Sequence, residues 1–264
     1  MKHFPVADTG VTISPIGLGT VKLGRDQGVK YPHGFQIPDD AQATQLLALA
    51  RDLGINLIDT APAYGRSEER LGPLLRGQRS EWVICTKVGE EFENGHSHFD
   101  FSPEHVRFSL ERSLKRLETD YLDIVLVHSD GNDLDIINRL GTLEALAEAK
   151  QRGLVRAIGM STKTVEGGIE TLRHADLVMA TYNLNHREEE PVLDFAREQG
   201  KAVLIKKALA SGHLCLQDQD DPVQASMDFI FRHAGVTSTI VGTINPDHLR
   251  HNVAAVKQAV ARYR

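Results

Sequence analysis

The feature that most constrains this chain is an alternation of strand-like and helix-like segments along its whole length. The eight strand-like segments are Ile16–Gly19, Ile55–Asp59, Trp82–Lys87, Tyr121–His128, Val155–Ser161, Leu177–Asn183, Ala202–Lys207 and Ser238–Thr243. Several are nearly continuous apolar runs, which is typical of parallel strands buried on both faces. Strict alternation with right-handed crossovers predicts an α/β fold, either a closed barrel or a doubly wound sheet.

Length and composition fit one domain that spans residues 1–264. A (β/α)₈ barrel usually has ~250 residues, and 41% hydrophobic with 25% charged residues is ordinary for a globular protein. The formal charge of −6 argues against a general nucleic-acid binder. The N-terminal segment lacks an apolar signal core, and no 18-residue apolar stretch follows, so we expect no membrane span. Cys85 and Cys215 form no disulfide framework, so we expect a cytoplasmic location.

Local signals mark several helix starts and a possible N-terminal hairpin. The pairs Ser102-Pro103, Asp221-Pro222 and Asn245-Pro246 each combine an N-cap residue with proline at the first helical position. The segment Phe4–Ile13 has Asp8-Thr9-Gly10 between two short alternating arms. This pattern favours a hairpin that caps the bottom of a barrel over a disordered leader.

Four chemically distinct side chains stand where predicted strands end. Asp59 and Tyr64 follow the second strand, Lys87 ends the third and His128 ends the fourth. In a barrel the carboxyl ends of the strands meet on one face, which carries the chemistry. A nearby ammonium is expected to lower a tyrosine pKa, and a carboxylate can hold that ammonium in place. A neutral imidazole can orient a substrate carbonyl. Taken singly, each residue also has an ordinary structural explanation, but the set of four predicts catalysis.

Motifs along the chain resemble those of the aldo-keto reductase family. They are IGLGT, DTAPAYG with SEERLG, TKVG, LVH, IGMS and GTINPDHLRHN, and they follow each other in the family's order over essentially the whole chain. The resemblance implies a (β/α)₈ TIM barrel that binds NADP(H) and reduces an aldehyde or ketone, or oxidises the alcohol. It assigns Tyr64 as general acid and base, Lys87 and Asp59 as its supporting pair, and His128 as the residue that orients the substrate.

The resemblance also implies a set of cofactor-binding positions. They are Thr20, Asp59, Ser161, Asn183, Lys206, Leu209, Ser211, Gly212, Gly242, Thr243, His248 and Asn252. Three positions depart from the family pattern. Met179 replaces a glutamine, which makes Asn183 a candidate substitute, Thr162 replaces an asparagine, and Lys206 replaces the aromatic that stacks on the nicotinamide.

The segment after the eighth strand carries the cofactor specificity that the resemblance implies. Gly242 and His248 stand where the family often has a lysine and an arginine, while Arg250 is close in sequence. Thr243 and the N-terminus of the following helix would then offer N–H groups to a phosphate. The alternative is plain helix capping by Asn245 and Pro246.

Specific residues argue against a metal site and a Rossmann cofactor site. His96-Ser97-His98 resembles a metal-ligand pair, but it lies in a predicted polar loop, so we expect no metal. Lys22 occupies the last glycine position of a G-x-G-x-x-G motif, so a Rossmann site is not expected. A regulatory relative that binds the cofactor without turnover, and a metal-dependent hydrolase, are the remaining alternatives. Loops Lys22–Pro38, Glu90–Ser102 and Ser129–Asp135 are expected to select the substrate, and Tyr31, Phe35, Phe92 and Phe99 are candidate lining residues.

Overall fold

Eight parallel strands form a closed barrel in the computed structural model, which describes residues 1–216 and 220–264. In chain order the strands are β1 (Phe4–Pro5), β2 (Thr12–Ile13), β3 (Ile16–Gly19), β4 (Leu57–Asp59), β5 (Val83–Val88), β6 (Glu90–Glu93), β7 (His96–Phe99), β8 (Leu122–His128), β9 (Val155–Ser161), β10 (Leu177–Thr181), β11 (Ala202–Lys206) and β12 (Ser238–Val241). The barrel order is β10-β11-β12-β3-β4-β5-β8-β9, and every pairing within it is parallel.

Helices connect the barrel strands and cover the outside of the barrel. They are α1 (Val21–Gly24), α2 (Asp40–Asp52), α3 (Ser67–Leu74), α4 (Pro103–Arg116), α5 (Asp133–Asn138), α6 (Thr142–Gln151), α7 (Val165–His174), α8 (Glu190–Glu198), α9 (Pro222–Arg232) and α10 (Pro246–Tyr263). Short 3₁₀ turns occupy Pro62–Tyr64, Arg79–Glu81 and Ala210–Leu216. The predicted N-caps are confirmed, since Ser102, Asp221 and Asn245 each accept hydrogen bonds from N–H groups of the first turn.

Apolar side chains fill two layers. The larger layer lies between the strands and the helices, and the smaller one fills the inside of the barrel. The inner layer includes Leu57, Ile124 and Leu204 from the barrel together with Val6 and Val11 from the N-terminal hairpin. β1 and β2 pair antiparallel, and their apolar residues close the bottom of the barrel. The predicted (β/α)₈ barrel with its hairpin is therefore confirmed.

The predicted strands are all present, but three of them end earlier than the sequence suggests. β11 ends at Lys206 rather than at Lys207, whose φ is 56°. β10 ends at Thr181 rather than at Asn183, whose side chain bonds the backbone of the neighbouring loop. β12 ends at Val241 rather than at Thr243, because the Thr243 hydroxyl accepts a hydrogen bond from the N–H of Asn245 and turns the chain into α10.

One element was missed in the sequence. The segment predicted as a polar loop contains the antiparallel hairpin β6–β7, so His96, Ser97 and His98 lie on an exposed strand. Asn94 and Gly95 both have positive φ angles of 51° and 83°, which is the geometry of a tight hairpin turn. The Asn-Gly dipeptide was the available signal. Within residues 1–216 and 220–264, no helix is long and apolar enough to span a bilayer.

Candidate active site

The carboxyl ends of the barrel strands open into a cavity of about 700 Å³. A cavity of this size is in the range that holds small molecules and cofactors. Most predicted site residues line it, namely Asp59, Tyr64, Lys87, His128, Ser161, Lys206, Leu209, Ser211, Gly212, Gly242, Thr243, His248 and Asn252. Thr20 and Asn183 lie outside this lining.

Tyr64 is held in place by a close crossing of two backbone segments. It ends the 3₁₀ turn after β4, and the next residue, Gly65, has a φ of 60°. A Cβ on Gly65 would collide with the carbonyl oxygen of Gly24, so this position requires glycine. The N–H of Arg66 donates to the same carbonyl at 3.2 Å. The turn that carries Tyr64 is thereby fixed against α1.

Lys87 and Asp59 form a buried ion pair at the mouth of the barrel. The Lys87 Nζ donates to Oδ1 of Asp59 at 2.7 Å and to the carbonyl of Thr60 at 2.9 Å. Only 1% and 4% of the two side chains are exposed. Burial lowers the pKa of Lys87, but the charges of Asp59 and Tyr64 oppose this and leave the pKa above its usual value. Lys87 is therefore an ammonium throughout the physiological range.

Tyr64 lies beside this pair. Its hydroxyl donates to Oδ2 of Asp59 at 3.4 Å, and the Lys87 Nζ lies 4.7 Å from the centre of the tyrosine ring. Burial and then the Asp59 charge raise the pKa of Tyr64, and Lys87 only partly lowers it. The expected lowering of the Tyr64 pKa is thus correct for the lysine charge alone and wrong for the net shift, because burial and then the Asp59 charge outweigh the ammonium. Tyr64 keeps its proton at neutral pH.

His128 faces Tyr64 edge-on, with 6.3 Å between the ring centres. Its Nδ1 lies 2.7 Å from Oε2 of Glu90 on β6. The contact is close, but it lacks the alignment of a hydrogen bond, and the buried Nδ1 has no hydrogen-bond partner among the described residues. Burial lowers the pKa of His128, while Glu90 raises it by less. Glu90 is not among the predicted site residues, because the sequence predicts a loop for its segment.

Thr20 supports the site from below instead of lining it. It is fully buried, and its hydroxyl donates to the carbonyl of Asp59 at 2.9 Å. The hydroxyl of Ser67 donates to the Thr20 hydroxyl at 2.8 Å, and Thr60 donates to Ser67 at 3.0 Å. Thr20 thus belongs to a hydroxyl chain that fixes the end of β4, while its direct contact with a cofactor stays a prediction.

Lys206 crosses the cavity to the end of β9. Its Nζ donates to the hydroxyl of Ser161 at 3.0 Å and to the carbonyl of Thr162 at 2.5 Å. Burial lowers the pKa of Lys206 to about 8, although the Glu189 charge raises it in part. The lysine at the family's aromatic position is therefore a polar link between two strands, and it brings a titratable cation next to Ser161.

The side chain of Asn183 forms hydrogen bonds with the backbone of two nearby loop residues. Its amide nitrogen donates to the carbonyl of Lys207 at 2.9 Å, and its amide oxygen accepts from the N–H of Asn185 at 2.9 Å. Both polar groups are engaged, and the side chain holds Lys207 at a φ of 56°. In the structure the Asn183 side chain therefore positions the loop and Met179 lines the cavity, while a direct contact of Asn183 with a cofactor stays a prediction.

Two loops cover the cavity. One includes Tyr31 and Phe35, and the Lys22 Nζ lies 4.1 Å and 5.0 Å from the centres of their rings. The other includes Leu209, Ser211 and Gly212. A Cβ on Gly242 would lie 3.2 Å from the hydroxyl of Tyr31, so the tyrosine reaches into the space that a longer side chain would take.

The two remaining aromatic candidates pack within the loops. The guanidinium of Arg25 stacks 3.3 Å from the centre of the Phe92 ring, and Phe99 stacks on Phe101 with 5.9 Å between the ring centres. Neither Phe92 nor Phe99 lines the cavity.

The start of α10 is already capped. The side-chain oxygen of Asn245 accepts from the N–H groups of Asp247 at 2.8 Å and His248 at 3.2 Å. The N–H groups that were expected to meet a phosphate are therefore satisfied, as the helix-capping alternative anticipated. The side chains of His248, His251 and Asn252 line the cavity, and that of Arg250 does not.

The charge of the cavity is positive. Lys22, Lys206 and Lys207 line it in addition to Lys87, whose charge Asp59 pairs. Such a surface attracts an anionic ligand. Among the residues that the structure describes, no cluster of three or more histidine, cysteine or acidic side chains is arranged to hold a metal ion.

Comparison with known proteins identifies the class of this barrel. The model of the aldo/keto reductase family matches residues 15–223. Aldo-keto reductase YhdN of Bacillus subtilis is 34% identical over 222 residues, which are 81% of this chain and 64% of YhdN. The NADH-specific methylglyoxal reductase of Escherichia coli is 32% identical over 230 residues, or 81% of this chain and 69% of that protein.

A solved structure is more similar still. A candidate aldo-keto reductase from Pseudomonas aeruginosa is 62% identical, superposes with a TM-score of 0.89, and the match covers 98% of this chain and 95% of that one. This chain belongs to the aldo-keto reductase family. Members are oxidoreductases that act on small-molecule carbonyl compounds with a nicotinamide cofactor.

The residues present fit such a cofactor. The cavity is large and positively charged, as a dinucleotide with a pyrophosphate requires. The hydroxyl of Ser161 and the amine of Lys206 form a polar region in the cavity that Tyr64 and Lys87 also line. Thr243, His248 and Asn252 form a second polar region at the α10 end of the cavity.

Proposed function

We propose that this protein reduces an aldehyde or ketone to an alcohol, or catalyses the reverse reaction, with NADP(H) and with Tyr64 as the general acid and base. The observation that carries the proposal is the arrangement of Tyr64, Asp59 and Lys87, in which a protonated phenol lies beside a buried ion pair at the cavity wall. When bound, the nicotinamide supplies or accepts a hydride.

The residues of the chain then handle the proton and the oxygen. In reduction, the Tyr64 hydroxyl donates its proton to the carbonyl oxygen as the carbonyl carbon receives the hydride. The ammonium of Lys87 stabilises the phenolate that remains. In the reverse direction the same phenolate removes the hydroxyl proton. His128 stands opposite Tyr64 and contacts the substrate oxygen from the other side.

The cofactor choice rests on the α10 end of the cavity. We assign the adenosine end to Thr243, His248 and Asn252, and the nicotinamide end to Ser161 and Lys206. The Escherichia coli relative is named for NADH, and the capped helix start leaves few groups for a 2′-phosphate. The preference for NADPH over NADH is therefore proposed to be modest. We place the reaction in the cytoplasm, which the lack of a disulfide framework in the sequence supports.

A panel of aldehydes and ketones tests the proposal. Each compound is assayed with NADPH and with NADH, and the absorbance of the reduced nicotinamide measures the rate. We expect turnover with both cofactors and its loss in Tyr64→Phe. Cofactor binding, followed by protein fluorescence, stays normal in the variant. Cofactor binding without turnover of any carbonyl or alcohol would instead support a regulatory protein.

A further inference from the structure

Glu90 holds the side of His128 that faces away from the cavity. Its Oε2 lies 2.7 Å from Nδ1 of His128, and its Oε1 accepts a hydrogen bond from the hydroxyl of Ser97 at 2.6 Å. Ser97 lies on β7 and Glu90 on β6, so the whole hairpin fixes the carboxylate. The contact is shielded, because 13% of the Glu90 side chain and 23% of the His128 side chain are exposed.

This contact decides where the histidine carries its proton. A carboxylate oxygen at this distance repels the lone pair of a bare ring nitrogen, so the contact favours a proton on Nδ1. Burial raises the pKa of Glu90, but His128, Ser97 and the charge of Arg25 together lower it to about 2. Glu90 is therefore ionised, and the proton belongs to Nδ1. The tautomer is assigned from this contact.

The other ring nitrogen is the one available to a substrate. Nδ1 is buried, while His128 lines the cavity and part of its ring is exposed. A neutral imidazole has one N–H. If that N–H is at Nδ1, then Nε2 carries a lone pair.

We propose that Glu90 is a positioning residue that keeps the neutral His128 in the Nδ1–H tautomer. Nε2 then accepts a hydrogen bond from an alcohol hydroxyl, and it donates one to a carbonyl only when the ring is an imidazolium. The consequence for catalysis rests on the proposed function, whereas the tautomer does not. This proposal replaces the expectation from the sequence that a neutral His128 donates a hydrogen bond to the substrate carbonyl.

The surrounding charges set when the ring is protonated. The groups that face His128 are Glu90 from β6, Lys87 from β5, Lys206 from β11 and Tyr64 from the turn after β4. Burial lowers the pKa of His128 first, Lys87 and Lys206 lower it further, and Glu90 opposes them. Below neutral pH the donor form therefore grows, which favours carbonyl reduction over alcohol oxidation.

The tautomer can be measured without any turnover. Long-range proton–nitrogen NMR correlation on protein with isotope-labelled histidine distinguishes Nδ1–H from Nε2–H, and a His128→Asn spectrum identifies the signal. We expect Nδ1–H in the wild type at about pH 8, well above the usual histidine pKa. In Glu90→Gln the amide can donate to Nδ1, so the ring should change to Nε2–H. Glu93→Gln, an exposed position on the same strand, should keep the wild-type tautomer.

Kinetics provide the second readout. In the wild type, kcat/KM for reduction should rise by up to about tenfold per pH unit as pH falls toward the histidine pKa. Glu90→Gln should lose this dependence, because its neutral ring already donates, and Glu90→Asp should restore it in part. An Nε2–H tautomer in the wild type overturns the proposal. So does an unchanged tautomer in a folded Glu90→Gln protein. The Nδ1–H tautomer in a protein without turnover would refute the proposed function and leave this inference standing.

Discussion

The Nζ of Lys87 lies 2.7 Å from Oδ1 of Asp59, with both groups buried at the end of neighbouring strands. Neither charge has access to bulk water, so each depends on the other. Since Oδ2 of Asp59 also accepts a hydrogen bond from the Tyr64 hydroxyl at 3.4 Å, the ion pair and the phenol form one electrostatic unit. Substitutions in this unit are expected to affect activity and stability together.

Tyr64→Phe should retain the fold and bind cofactor but lose at least ~10²-fold in turnover, the usual contribution of a general acid or base. The substitution removes the protonated hydroxyl and leaves the ring that packs against His128. Single-turnover and steady-state rates measure the loss. Tyr31→Phe is a matched control, because Tyr31 also lines the cavity but lies near Gly242. Near-normal turnover in Tyr64→Phe would refute the assignment.

Asp59→Asn and Lys87→Met should each lower the free energy of unfolding by about 3–5 kcal/mol, because either leaves a buried charge without its partner. The double variant should lose clearly less than the sum of the two, since it removes both charges. Urea unfolding of the four proteins measures the coupling. The exposed pair Arg76–Glu118 is the control, and its coupling should not exceed ~1 kcal/mol. Strictly additive losses would show that Asp59 and Lys87 act independently.

The barrel, and the meeting of Asp59, Tyr64, Lys87 and His128 in one cavity, were predictable because their signals are local. A run such as the one from Ile124 to His128 is apolar up to a single polar residue at its end, and parallel strands place such ends together. Glu90 was not predicted, because the hairpin that carries it is charged and exposed, and only Asn94-Gly95 marks its turn.

The remaining differences depend on the direction of side chains across large sequence separations. The contact of Lys206 with Ser161 joins residues 45 positions apart, and that of Asn183 with Lys207 joins residues 24 apart. The hydrophobic periodicity of the sequence does not specify which distant residue a lysine or asparagine side chain will contact. Nor does it show that Asn245 already satisfies the N–H groups at the start of α10.

Lys206 should make the stability of the protein depend on pH above neutrality. Its pKa is lowered to about 8 in the folded state, against ~10.4 for an unfolded lysine. Between these values the unfolded chain binds more protons, so stability rises with pH, by at most ~1.4 kcal/mol per pH unit. Below a pH of about 8, Lys206 is charged in both the folded and the unfolded state. Its burial then lowers the free energy of unfolding by an amount that does not change with pH.

The wild type should therefore gain stability relative to Lys206→Met as pH rises from about 8 toward ~10. Urea unfolding at several pH values measures this slope. Lys257→Met is the control for the loss of a lysine, because its side chain is exposed on α10 and does not line the cavity. A pH-independent difference for Lys206→Met would mean that Lys206 stays charged throughout.

Cofactor discrimination should be limited by the α10 end of the cavity. Strong recognition of a 2′-phosphate needs charge-assisted hydrogen bonds from lysine or arginine. The nearby N–H groups of Asp247 and His248 already bond Asn245. The side chains of His248 and His251 line the cavity, but Nε2 of His251 lies 3.1 Å from Asp221, which takes up part of any charge it carries.

We expect the wild type to bind NADPH about tenfold more tightly than NADH, or ~1.4 kcal/mol. His248→Arg places a permanent, forked cation in the cavity wall and should raise this ratio by a further factor of about ten. Fluorescence titration with both cofactors measures the two dissociation constants. Arg250→Gln removes a cation that does not line the cavity, so it should leave the ratio unchanged. If the wild type binds NADH more tightly and His248→Arg changes neither constant, the adenosine phosphate does not reach this part of the cavity, and the assignment of His248 is wrong.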